Sequence, residues 1–110
     1  MIKWREPLYL DKKMMDGQKV ADVMELVMEK KSSLREMLTP VFGVFLAQNP
    51  ANLLEIISMK EFLQPGYDSR EFLCVGLAGS RESAEELVRV ILEDTLHHTG
   101  GLQVKEFLCE

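Results

Sequence analysis

The chain has 110 residues, of which 46% are hydrophobic and 28% charged, with a formal net charge of −5. That length suits one domain, which buries roughly two-thirds of its unfolded surface, and the apolar content argues against a disordered chain. The acidic balance argues against a general nucleic-acid or anionic-membrane surface, which needs clustered Lys and Arg.

No apolar run approaches the roughly 20 residues of a membrane span. The start, MIKWREPLYL, places charge within its first five residues and has no apolar stretch of the kind a signal peptide carries. Cys74 and Cys109 have no metal-ligand spacing and no CxxC, so free, reduced thiols and a cytoplasmic setting are expected.

In chain order, Leu8 to Leu10, ending in Asp11, reads as a short strand, with Pro7 suited to the start of an edge strand. Asp16 and Gly17 suit a helix start. From Gln18 to about Lys31 the positions Val20, Val23, Met24, Val27 and Met28 make a helical stripe. Ser32 and Ser33 interrupt it, Leu34 to Leu38 continue it or form a separate turn, and Thr39-Pro40 ends it, because the residue before proline avoids the α region.

Val41 to Ala47 is apolar throughout, the pattern of a strand covered on both faces. Asn49 then reads as a helix N-cap and Pro50 as a first helical residue. The expected helix carries Leu53, Leu54, Ile56 and Ile57 to about Leu63, and Pro65-Gly66 breaks it.

Glu71 opens a third strand, Phe72 to Ala78, in which Gly76 implies close approach by another backbone or a large side chain. Gly79 turns the chain and Ser80 caps a long helix. Glu82, Glu85 and Glu86 crowd its first turns, and Ala84, Leu87, Val88, Ile91 and Leu92 form its apolar stripe. His97 and His98 lie in the last turn, before the stop at Gly100-Gly101. Leu102 to Leu108 alternates in part and reads as an edge strand with one wet face.

The expected fold class is therefore α/β in the order β-α-β-α-β-α-β. It is a mostly parallel four-stranded open sheet flanked by helices, within a single domain of residues 1–110. Strands 41–47 and 72–78 are expected at its centre, side by side and running the same way. Three helices cover both faces of such a sheet poorly, so a helix face or a sheet edge is expected to meet a second copy in a homodimer.

Ligands of parallel α/β sheets bind beyond the carboxyl ends of the strands. Those ends would carry Asp11, Gln48, Asn49, Gly79 and Ser80, with two helix N-termini suited to a phosphate- or carboxylate-bearing ligand. Capping explains Asn49 and Ser80 equally well. Gly76-x-x-Gly79 is neither a dinucleotide fingerprint nor a P-loop.

His97 and His98 point about 100° apart on a helix and make a poor chelate, so no metal site is expected. Cys74 lies mid-strand, Cys109 is next to last, and no carboxylate pair stands out as a catalytic dyad. No catalytic residue and no cofactor are assigned.

Met14, Met15, Met24, Met28 and Met37 cluster in the first half. Met24 and Met28 share one helix face and serve either as core filler or as an adaptable interface.

The blocks NPANLLEI, LCVGLAGSRESAEELV and TGGLQVKEFL resemble those of short uncharacterised α/β proteins of Gram-positive anaerobic bacteria. The likeness spans about Leu8 to Leu108. It implies a cytosolic bacterial setting and carries no activity, cofactor or site. The leading expectation is an interaction or regulatory module that self-associates, with a small-anion binder as the alternative.

Overall fold

The structure, a computed structural model, describes residues 2–29, 36–38, 40–49, 51–64 and 71–109. The expectations for Ser32, Ser33, Thr39, Pro50, Pro65 and Gly66 lie outside the described residues.

Four strands form one sheet: β1 (Ile2–Leu10), β2 (Phe42–Leu46), β3 (Leu54–Ser58) and β4 (Phe72–Ala78), in the spatial order β1-β4-β2-β3. The helices are α1 (Gly17–Met28), α2 (Arg81–Thr99) and the short α3 (Val104–Leu108), with 3-10 turns at Lys12–Met14 and Met59–Leu63.

The two most apolar strands, β2 and β4, are central and adjacent, but they run in opposite directions, with Phe42 beside Ala78 and Phe45 beside Cys74. Among the described residues only β1 and β4 pair in parallel, and β2 pairs antiparallel with β3 as well. The sheet is mixed, and the expectation of a mostly parallel sheet is wrong.

The reason lies in the segment after β2. The expected helix there is β3, the second arm of a hairpin. Asn49 caps a turn, not a helix: its side-chain oxygen accepts from the Ala51 amide at 2.9 Å, and its carbonyl accepts from the Asn52 amide at 3.0 Å. β3 carries the chain back to the start of β2, with Ser58 beside Phe42, yet β4 begins at the hairpin end, so β3 and β4 run the same way and both oppose β2.

The expected final strand is α3. Val104, Phe107 and Leu108 are all buried at helical spacing. The edges of the sheet are thus β1 and β3.

Each face of the sheet carries its own core. Val23, Leu26 and Val27 of α1 join Phe45, Phe72, Cys74 and Leu77 on one side. There the Phe62 ring packs 5.2 Å from Phe45 and, edge-on, 5.1 Å from Phe72. Ala84, Leu87 and Ile91 of α2, with Val104, Phe107 and Leu108 of α3, cover Val44, Val75 and Ala78 on the other.

A bulge at Val75-Gly76 lets β4 serve both layers. The register against β2 slips by one residue there, so Val75 has no opposite number. On the other side β1 loops out over Arg5 to Leu8 against that same residue, and its Glu6–Pro7 bond is cis. A Cβ at Gly76 would stand 3.0 Å from the Tyr9 carbonyl oxygen, the close backbone approach that its place in the strand implied.

Ser80 caps α2, its hydroxyl accepting from the Ser83 amide at 3.1 Å. Gly100 closes the helix at φ 76°, the left-handed geometry that favours glycine.

Candidate functional site

Among the described residues, β1 and β4 form the one place where strand ends of the parallel kind meet a helix N-terminus. Asp11 follows β1 and Gly79-Ser80 follow β4. The Asp11 amide donates to the Leu77 carbonyl at 3.4 Å, which carries the β1–β4 pairing one residue further.

The Asp11 carboxylate is fully engaged by the protein's own backbone. Its Oδ1 accepts from the Met14 amide at 3.0 Å and caps the 3-10 turn. Its Oδ2 accepts from the Gly79 amide at 2.9 Å, across the strand pair. Lys13 lies over the same joint: a Cβ at Gly79 would meet the Lys13 side chain at 2.7 Å.

Two hollows flank this joint. One of about 230 Å³ is lined by Lys13, Lys19, Val23, Leu26, Met37 and Gly79. The other, of about 440 Å³, is lined by Asp11, Lys12, Lys13, Met15, Ser83 and Glu86.

Gln48 and Asn49 are elsewhere. Because β2 runs against β4, its carboxyl end lies at the start of β4. There the Gln48 side-chain amide donates to the Glu71 carbonyl oxygen. Gln48 lines an open cleft of about 490 Å³ with Leu46, Leu53, Leu102 and Val104. The structure brings Asp11, Gly79 and Ser80 together and separates them from Gln48 and Asn49 by the length of the sheet. The shared rim needs two parallel central strands, and it does not form.

The joint also offers less to an anion than its sequence implied. The Gly79 amide, which would greet a phosphate, already donates to a carboxylate. That carboxylate repels a second negative charge.

A polar group unforeseen in the sequence joins β1 to the α2–α3 layer. The Tyr9 hydroxyl donates to Asp94 Oδ2 at 2.7 Å, between residues 85 positions apart. Burial, then the hydrogen bond and negative charge of Asp94, push the Tyr9 phenol up to about 12. The Arg5 guanidinium lies 5.7 Å from the Tyr9 ring centre and 5.8 Å from that of Phe107, and it donates to the Leu108 carbonyl at 3.0 Å. No local motif announces this arrangement, which fastens the bulged segment of β1 to the end of the chain.

Cys74 is buried and free, its thiol donating to the Gly76 carbonyl at 3.3 Å, and burial pushes it up to about 12. A thiol so held is no nucleophile near neutral pH. His97 and His98 are exposed, and the His98 ring packs 4.9 Å from Phe107. Among the described residues no group of three or more His, Cys, Asp or Glu side chains is placed to hold a metal ion. Among the same residues no helix is long and apolar enough to cross a membrane.

The methionines divide. Met14 and Met59 are core residues, whereas Met15, Met28 and Met37 are 67%, 60% and 56% exposed. On α1 the core takes Val23, Leu26 and Val27, which leaves Met24 half-buried and Met28 outside.

No protein-family model matches the chain, and neither a curated protein nor a solved structure is similar to it.

Proposed function

We propose that this chain is a cytoplasmic interaction or regulatory module that self-associates and offers the Met24–Met28 stripe of α1 to a partner protein. The observation that carries the reading is the partition of α1. Its core contact is made by Val23, Leu26 and Val27 with Val20 packed beside them, yet Met28 stays 60% exposed one turn beyond half-buried Met24. An unbranched thioether adapts its shape to a partner at little cost, which makes it a usual choice for adaptable contact surfaces.

Exposed Glu25 and Glu29 neighbour the stripe, and the whole chain carries a net charge of −5. The matching partner has apolar side chains flanked by basic ones. The free state of both Cys74 and Cys109 supports the cytoplasmic setting.

A small-anion binder is the weaker reading. Its five-residue rim is divided between two ends of the sheet, and Asp11 occupies the Gly79 amide.

The test uses chain labelled with ¹³C at the methionine methyl groups, titrated with a model helical peptide of leucine and lysine and, separately, with one of leucine and glutamate. The Met24 and Met28 signals shift with the basic peptide and not with the acidic one, and added salt weakens the response. Equal response to both peptides, or none to either, refutes the reading.

A further inference from the structure

The two edges of the sheet are built differently. β1 is blunted by the looped-out segment Arg5 to Leu8, by Pro7 within it and by the charges of Lys3, Arg5 and Glu6. Those are the devices that keep an edge strand from pairing with another chain. β3 has no looped-out segment, no proline and a single charge. Its five residues pair with β2 without a register shift, and Glu55 is its only charge among Leu54, Ile56, Ile57 and Ser58.

The direction of the β3 backbone groups follows from its two flanking bonds. The Ala47 amide donates to the Leu53 carbonyl at 3.3 Å, and the Met59 amide donates to the Val41 carbonyl at 3.0 Å. Both extend the register of the β2–β3 ladder. Bonded pairs alternate along an antiparallel ladder, so Glu55 and Ile57 turn their backbone groups to β2, and Leu54, Ile56 and Ser58 turn theirs outward. Among the described residues, no strand lies beyond β3 to receive them.

We infer that the outer edge of β3 pairs antiparallel with β3 of a second copy about a two-fold axis at Ile56, giving a dimer with one sheet running through both protomers. The second copy is the occupant because the strand is complementary to itself in one register only. Matching both core layers across the junction requires each residue to oppose one of the same face. That leaves registers centred on Glu55, Ile56 or Ile57.

The first sets Glu55 against Glu55, like charges directly opposed. The third runs the strand out against Met59 and Lys60, which already belong to the 3-10 turn. The register at Ile56 uses all of β3. Leu54 meets Ser58 of the second copy, Ile56 meets its own copy, and each of these pairs exchanges both backbone bonds. Leu53, 37% exposed at the entrance to β3, is covered at the rim. A self-complementary contact of this kind closes at two subunits and does not propagate. It goes beyond the proposed role of α1 and leaves the Met24–Met28 stripe open on both protomers.

Sedimentation of the full chain up to about 1 mM, the range of a weak association, is expected to give twice the 12.6 kDa of one protomer. In a Cys109→Ser background, mild oxidation of a mixture of Glu55→Cys and Ile57→Cys chains is expected to give a disulfide-linked heterodimer, since those positions form a close non-bonded pair. Each variant alone gives little. A monomer throughout, preferential linkage of Glu55→Cys to itself, or a dimer without the mixed cross-link overturns the inference. So does loss of the dimer on Met24→Glu with Met28→Glu, which would place self-association on α1. Retention of the dimer in that variant is the result expected if self-association lies on β3.

Discussion

The Asp11 carboxylate bonds to the Gly79 amide at 2.9 Å and so ties the end of β1 to the joint between β4 and α2. The same carboxylate holds the Met14 amide at 3.0 Å, at the turn that carries fully buried Met14 into the core. One side chain thus closes a turn and a strand-to-helix joint with charge-assisted bonds. Asp11→Ala leaves both amides without that partner and should lower unfolding stability by about 2–3 kcal/mol. Asp11→Asn, with one acceptor oxygen, should lose about half as much. Urea denaturation of the three chains checks the order; equal stability of Asp11→Ala and the unaltered chain would remove the carboxylate from the account of this joint.

The bulge in β4 makes a second demand. Gly76 faces the Tyr9 carbonyl, and a methyl group there would stand 3.0 Å from that backbone oxygen and 3.4 Å from Leu87. Neither strand backbone yields easily, so Gly76→Ala should destabilise by about 1–3 kcal/mol, as overpacking does. Gly17 is the control. It opens α1 with nothing within 4 Å of its added methyl, and Gly17→Ala should stabilise by about 0.5–1 kcal/mol. Thermal melts of the pair should move in opposite directions, and a rise for Gly76→Ala would mean that β1 is not held against β4 there.

Much of this frame is legible in the residues, and what is not has definite causes. Continuous apolar runs mark β2 and β4 as central, and Asp16, Ser80 and Gly100 mark helix ends through local hydrogen bonding that needs no tertiary partner. The misread segments are short. Leu53, Leu54, Ile56 and Ile57 satisfy a helical stripe as well as a half-buried strand. The β-branched pair and the Asn49 turn were the signals favouring a hairpin. In the last segment Leu102 and Val104 suggest alternation, but Leu102 is exposed and the buried set is Val104, Phe107 and Leu108. The candidate rim failed because β4 runs against β2, and strand direction decides which ends share a side. The bonds of Asp11 to Gly79 and of Tyr9 to Asp94 span 68 and 85 positions, beyond the reach of local pattern.

The two thiols should separate cleanly in a reactivity assay. Cys74 is wholly buried with its thiol pushed up to about 12, and Cys109 is exposed. The thiolate is the reactive form, so a thiol reagent at neutral pH should modify Cys109 promptly and Cys74 only as fast as the chain opens. Mass spectrometry of the labelled peptides checks the assignment. Comparable labelling of both residues under native conditions would place Cys74 outside the core.

Tyr9 gives the fold a dependence on alkaline pH. Its folded value lies near 12, raised first by burial and then by Asp94, against an ordinary value of about 10. The folded state therefore favours the protonated phenol. Its contribution is complete below about pH 10, declines as the unfolded chain ionises, and is gone once pH passes the folded value. The ring is half-exposed, so solvent screening holds the loss to about 1 kcal/mol. In a Tyr67→Phe background, ultraviolet titration should show one tyrosine ionising well above pH 10. Asp94→Asn should bring it part of the way back, since burial remains while the charge and much of the hydrogen bond go. An ordinary tyrosine titration, or no change on Asp94→Asn, would show that the Tyr9–Asp94 bond does not persist in solution.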